Sequence, residues 1–288
     1  MNVFGTVKNY LSLVKFSHTV FAMPFAAIGF LLAVRENDFR MDWMLALKVL
    51  LCMVFARTAA MTFNRWADSH IDALNPRTAV REIPSGIITE KNALIFTILN
   101  SIAFITTTWF INPLCFYLSF ITLAIILGYS YTKRFTSLCH FILGLGLSIA
   151  PLGAYIAVTG KFALLPILFA LAVLFWVSGF DIIYALQDES FDKKYNLKSI
   201  PALLGTKSAL MLSNVLHVIS AFLIISAGYF GNFGMIYFTG AAVFTALLLY
   251  QHSLVKHNDL SKINLAFFTT NGIASVVFAC FVFADLLT

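Results

Sequence analysis

Charge is what this chain of 288 residues has least of. Lysine, arginine, aspartate and glutamate together make up 11% of it, against 60% hydrophobic residues. A soluble domain carries about 25% charged residues, so the composition excludes a soluble globular protein and points to an integral membrane one. Cysteine is scarce too. The four present, Cys52, Cys115, Cys139 and Cys280, stand isolated in apolar surroundings with no C-x-x-C, which argues against a zinc site and a disulfide framework. The six histidines show no H-x-x-x-H or H-E-x-x-H spacing. A cleavable signal peptide is not indicated either. The first apolar stretch begins only after Lys8 and Lys15 and lacks a small-x-small cleavage pattern.

What is present is a series of apolar runs long enough to cross a bilayer, which takes about 20 residues each. They are expected at about 16–34, 43–63, two between 92 and 132 separated by Asn112-Pro113, one within 135–160, one at 162–180, two between 208 and 255 separated by Gly231-Asn232-Phe233-Gly234, and one at 263–284. The reading is all-α and polytopic, with nine transmembrane helices. Of the 19 basic residues, 14 fall in the N-terminus and alternate loops, and Arg35, Arg40, Lys48 and Lys161 fall on the other side. The positive-inside rule then puts the N-terminus in the cytoplasm and the C-terminus outside.

Only 13 residues are acidic, and six of them, Asp68, Asp72, Asp181, Asp188, Glu189 and Asp192, gather at the cytoplasmic ends of two spans. One group reads Asn64-x-x-x-Asp68-x-x-x-Asp72, the other Asp181 followed by Asp188-x-x-x-Asp192. Carboxylates one helical turn apart repel by roughly 3 kcal/mol at about 6 Å and an effective dielectric near 20. A hard divalent cation removes that repulsion. Magnesium takes one or two carboxylates and completes its shell with water and phosphate oxygens. Asn64, Asp68, Asp72, Asp188 and Asp192 are therefore the expected metal ligands, and the two clusters together are expected to serve one diphosphate. Arg65, Arg77, Arg81, Lys133, Arg134 and Lys198 are placed to neutralise phosphate. Lys193 and Lys194 read better as orientation charges or lipid-headgroup contacts. Arg57 sits inside a span, seven residues before Asn64, where an ionisable side chain is costly and functional by default. Tyr129 and Lys133 form Y-x-x-x-K at the end of another span. Tyr129 and Tyr184 are open both to a site role and to an interfacial one. Asp181 follows a long uncharged run and lies deeper than Asp188 and Asp192, which makes it a candidate general base.

At these residues the chain resembles the UbiA superfamily of intramembrane prenyltransferases. The segment from Arg57 through Asn64, Asp68 and Asp72 to Arg77 and Arg81 is similar to the family's first motif. Asp181-I-I-Tyr184-A-L-Q-Asp188-E-S-F-Asp192 is similar to its second, and Tyr129-S-Y-T-Lys133 to its Y-x-x-x-K. Arg65 departs from the family pattern, which commonly has an acid there, so one metal ligand is missing. The wording around Asp72–Gly86 is most similar to the 4-hydroxybenzoate polyprenyltransferase branch.

The resemblance implies nine helices around a central cavity under cytoplasmic cap loops. It also implies a single prenyltransferase domain over 1–288 with two pseudo-repeated halves, about 1–135 and 136–288. The implied activity is Mg2+-dependent transfer of a polyprenyl group from a polyprenyl diphosphate to the ring of an aromatic acid, in ubiquinone or menaquinone biosynthesis at a bacterial inner membrane. Asp68, Asp188 and Asp181 would be the catalytic residues, and Arg57, Lys15, Tyr129 and Tyr184 would contact the acceptor. Another acceptor within the superfamily (a naphthoate-type precursor, homogentisate or haem) is the alternative, and an ion-coupled transporter a remote one. Membrane lipids are the expected surroundings. No nucleic acid is implicated and no protein partner is inferable.

Overall fold

The computed structural model describes residues 9–14, 23–38 and 40–288. They are overwhelmingly helical. Helix α1 spans Met23–Glu36, α2 Trp43–Ala67, α3 Ser69–Leu74, α4 Glu90–Trp109, α5 Pro113–Thr132, α6 Cys139–Thr159 and α7 Leu164–Ala185. A 3-10 turn at Leu186–Asp188 leads to α8, Glu189–Lys194. Helix α9 spans Ile200–Phe230, α10 Met235–Leu254, and a π-helical turn at Leu265–Thr270 leads into α11, Asn271–Leu287. Among the described residues eight helices are long and apolar enough to cross a membrane. The expected first span begins outside the described residues, and its described part is α1. The protein is thus an all-α, polytopic integral membrane protein.

Local chemistry sets the breaks. Asn112 caps α5, its Oδ1 accepting from the Cys115 N–H at 2.8 Å, and Pro113 supplies a first helical residue that needs no N–H acceptor. The Asn112-Pro113 break thus falls where the sequence placed it. So does the turn at 231–234, where Asn232 adopts φ 49°. Thr89 caps α4 through the Asn92 N–H, and Ser199 caps α9 through the Ala202 N–H. Helix α9 breaks early: Gly205, at φ 76° and ψ 164°, interrupts it where other residues are strained.

The chain divides into two compact units. The first comprises the described residues of Met1–Thr19 with Met44–Tyr131. Its apolar interior is thin. Leu13, Ile83, Ile88 and Ala93 make one cluster, and Phe104, Leu123 and Ile126 another, packed by Phe55 and Ala56 of α2. Of the 25 residues of α2 only Ala59, Thr62 and Arg65 are buried.

The second unit comprises the described residues of Val20–Trp43 with Thr132–Thr288. Here α7 packs between α6 and α9, α1 lies on α6, and α11 on α10. Phe25, Phe169, Trp176, Tyr237, Phe244 and Phe278 fill a continuous core, with Trp176 edge-on to Phe244 at 5.7 Å. Close helix approach depends on missing side chains. A Cβ on Gly144 would lie 2.5 Å from the Leu174 carbonyl oxygen, and one on Gly179 would lie 2.4 Å from the His217 ring. Most polar groups in this apolar interior are matched, as hydrocarbon favours, with Gln251 Oε1 an exception among the described residues. The π-turn before α11 leaves carbonyls that ordinary helix would engage. Gln251 donates to the Ala266 oxygen at 3.0 Å and Asn271 to the Phe267 oxygen at 2.8 Å. Asn271 Oδ1 in turn accepts from the Trp176 indole.

Candidate active site: two acidic motifs

In the first unit, α2 runs on past its apolar stretch through Asn64, Arg65 and Trp66. Asp68 N–H donates to the Asn64 carbonyl at 3.0 Å and Asp72 N–H to the Asp68 carbonyl at 2.7 Å. Asn64, Asp68 and Asp72 therefore follow one another at successive turns of a single helical track, although α2 formally ends at Ala67. Asp68 and Asp72 are buried, at 2% and 4% exposure. Asn64 Nδ2 donates to Asp68 Oδ2 at 3.3 Å. Arg81 Nη1 bridges both oxygens of Asp72, at 2.8 and 2.7 Å. The loop that returns Arg81 to Asp72 is shaped by the Thr78 hydroxyl on the Asp72 carbonyl and by Asn75 Oδ1 on the Arg77 N–H.

Basic groups gather here. Arg65 is buried and interacts electrostatically with Asp72, Arg81, Glu82 and Tyr129; Arg57 also interacts with Tyr129. Arg57 Nε and Arg65 Nε are buried with no hydrogen-bond partner among the described residues. A buried guanidinium N–H without an acceptor costs more than an ordinary lost hydrogen bond, so both nitrogens are suited to an anion. Arg77 is exposed on the loop. Lys15, an expected acceptor contact, lies outside the described residues.

In the second unit, Asp181 and Tyr184 belong to α7 itself, while Asp188 ends the 3-10 turn and Asp192 lies in α8. Asp192 is buried and accepts from the Ser199 hydroxyl, with Asp188, Lys133 and His140 close enough to interact electrostatically. The Lys133 carbonyl accepts from the Lys198 N–H at 2.6 Å, which ties the Y-x-x-x-K lysine to the segment after α8. The side chains of Arg134 and Lys198 are exposed. Tyr184 stacks on Phe267 with centroids 4.1 Å apart and meets Phe268 edge-on. Lys193 pairs with Glu189 at 2.7 Å along the helix surface, and Lys194 lies over the Tyr195 ring. Both thus have ordinary surface roles. Asp181 Oδ2 meets His140 Nδ1 at 2.7 Å. Sequence reasoning passed over His140 because its partner is 41 residues away and no metal-type spacing marks it.

The donor set fits magnesium. The candidate ligands are hard oxygens, two of them buried on one track, and among the described residues no three His, Cys, Asp or Glu side chains converge into a ready metal cage. A cation held by one or two carboxylates and sharing the rest of its shell with water and phosphate is the kind such a set admits.

Residues 22–273 match the model of the UbiA prenyltransferase family. This chain belongs to that family. It is 30% identical over 223 residues to the 4-hydroxybenzoate octaprenyltransferase of Tolumonas auensis, covering 77% of this chain and 78% of that one. It is 31% identical over 242 residues to the enzyme of that name from Aliivibrio fischeri, covering 82% and 83%. Among solved structures, the apo UbiA homolog of Aeropyrum pernix superposes with a TM-score of 0.84 at 30% identity, over 93% of this chain and 98% of that one. A UbiA homolog of Archaeoglobus fulgidus bound to DMAPP and Mg2+ shares the fold, with a TM-score of 0.74 at 22% identity over 97% and 99%. As a family member the protein is a prenyltransferase, and its alternative reading as a transporter falls away.

Proposed function

We propose that this prenyltransferase moves a polyprenyl group from polyprenyl diphosphate to a ring carbon of a 4-hydroxybenzoate-like aromatic acid, with magnesium, as a step of quinone biosynthesis. The observation that carries the reading is the first motif. A helical track with half-buried Asn64 and buried Asp68 and Asp72 lies in the same unit as two buried guanidinium nitrogens, on Arg57 and Arg65, that lack an acceptor among the described residues. The names of the bacterial relatives support the acceptor class, and the magnesium and DMAPP held by the Archaeoglobus protein support the donor class.

Asn64, Asp68, Asp72, Asp188 and Asp192 would hold magnesium, which when bound supplies charge neutralisation of the diphosphate. Arg65, Arg77, Arg81, Lys133, Arg134 and Lys198 bind the phosphate oxygens. Rupture of the allylic C–O bond leaves the diphosphate with the bonding electrons and a delocalised allylic cation. Apolar walls exclude water, which would otherwise capture that cation. The acceptor's ring carbon forms the new C–C bond, and the displaced ring proton passes to the Asp181 carboxylate. Arg57 and Lys15 bind the acceptor carboxylate, and Tyr129 and Tyr184 contact its ring. The chain works as one catalytic domain with an acidic motif in each half. It sits in a bacterial inner membrane with the N-terminus and both motifs on the cytoplasmic side.

The test supplies purified protein with magnesium, radiolabelled polyprenyl diphosphate and a panel of aromatic acids. A labelled lipid formed with 4-hydroxybenzoate and lost with EDTA is expected. Label transferred only to a naphthoate-type acid, to homogentisate or to haem would overturn the acceptor assignment. Turnover that survives EDTA would overturn the metal.

A further inference from the structure

His140 lies at the start of α6, is 3% exposed, and uses both ring nitrogens. Nδ1 is 2.7 Å from Asp181 Oδ2. Nε2 is 3.2 Å from the backbone nitrogen of Ile200, the first residue of α9. A backbone amide only donates, so Nε2 must present its lone pair. The ring proton therefore resides on Nδ1 and is donated to Asp181. The contact with Ile200 fixes the tautomer, and the tautomer fixes the direction of the bond to the carboxylate. A doubly protonated ring would set an Nε2–H against the Ile200 N–H. The ring's backbone is held as well, since the His140 carbonyl accepts from the Ser178 hydroxyl at 3.2 Å, three residues before Asp181 on α7. Three helices thus converge on one imidazole, and its exposed working face is a carboxylate whose side chain is 21% accessible.

We propose that His140 is the positioning residue for Asp181. As the neutral Nδ1–H tautomer it anchors Oδ2 and leaves Oδ1 as the oxygen that takes the ring proton of the prenylated acceptor. The proposal rests on the reading of Asp181 as the base. In balance, the proton leaves the ring carbon for Oδ1, the C–H electrons restore aromaticity, and His140 keeps its own proton throughout. An unheld carboxylate samples rotamers that turn neither oxygen to the acceptor, and a misplacement of about 1 Å costs on the order of 100-fold in rate.

Two substitutions separate positioning of Asp181 from capping of α9. His140→Asn retains an N–H donor near the Nδ1 position and gives up the acceptor for Ile200. His140→Gln retains an acceptor near the Nε2 position and gives up the donor to Asp181. Positioning predicts that His140→Asn keeps kcat within a few-fold. His140→Gln should lose kcat by about 100-fold while KM for the diphosphate stays unchanged. The reverse order, or equal loss with a matching fall in thermal stability, would assign His140 to capping and overturn the proposal. A second readout needs no turnover. In 15N-histidine-labelled protein, the resonance lost in His140→Gln should show a protonated Nδ1 and an unprotonated Nε2. A protonated Nε2 would overturn the proposal whatever the kinetics. Should Asp181→Asn turn over at the native rate while that nitrogen signature stands, the failure would lie with the base assignment and not with the hydrogen-bond geometry.

Discussion

The two units carry the same D-x-x-x-D spacing and hold it by different means. In the first, α2 buries three side chains out of 25, and Asp72 is fixed by charge: Arg81 spans both of its oxygens at 2.7 and 2.8 Å. In the second, a continuous aromatic core from Phe25 to Phe278 carries α7, Asp181 meets the buried His140 ring, and Asp192 accepts from the Ser199 hydroxyl. Where packing is dense, the carboxylates are oriented by side chains that neighbouring elements hold in place. Where packing is thin, a guanidinium does the orienting.

The largest expected effect treats the units alike. Asp68→Asn in the first and Asp188→Asn in the second should each lower prenyl transfer by about 1000-fold or more, with unchanged detergent-solubilised yield. Native turnover by either would break the symmetry on which the proposed function stands. The next effect divides the units. Arg81→Met leaves Asp72 buried without its ion partner, at a cost of about 2 kcal/mol once the partial exposure of Arg81 is allowed for. The cost should be recovered in the double variant with Asp72→Asn, as read by denaturant titration. Gly179→Ala strikes the second unit through packing alone, because the new methyl meets the His217 ring at 2.4 Å. About 1–3 kcal/mol of destabilisation is expected, with no dependence on salt. Trp176→Phe, which leaves Asn271 Oδ1 without the indole N–H, should cost about 1–2 kcal/mol and leave KM unchanged. The smallest effect is Lys193→Ala. Its pairing with Glu189 is exposed and worth about 0.5 kcal/mol at most, so activity should not change.

Most of this architecture was legible in the residues because lipid simplifies the code. A run of about 20 apolar residues is a helix wherever it falls, and Asn112-Pro113 and the turn at 231–234 carry their own stop signals. The acidic motifs were legible because acids are so rare here that their spacing stands out. What stayed hidden depends on partners distant in the chain. Helix α1 groups with the second half and not with its sequence neighbour α2, because Phe25 finds Trp176 and Phe278. The π-turn at 265–270 exists to serve Gln251 and Asn271, and no local propensity announces it. The 3-10 turn before α8 interrupts acids spaced by one helical turn, and α9 begins at Ile200 and breaks at Gly205, both ahead of the expected start at 208. His140 was invisible for the same reason: its meaning comes from Asp181 and Ile200, 41 and 60 residues on.

The proposed function requires acids of both motifs for one magnesium-bound diphosphate. Calorimetric titration of a non-hydrolysable prenyl diphosphate analogue into protein with and without magnesium tests it directly, in the native chain and in Asp68→Asn and Asp188→Asn. Magnesium-dependent binding that weakens severely in both variants is expected. Binding at native affinity in either one, with magnesium present, would contradict it.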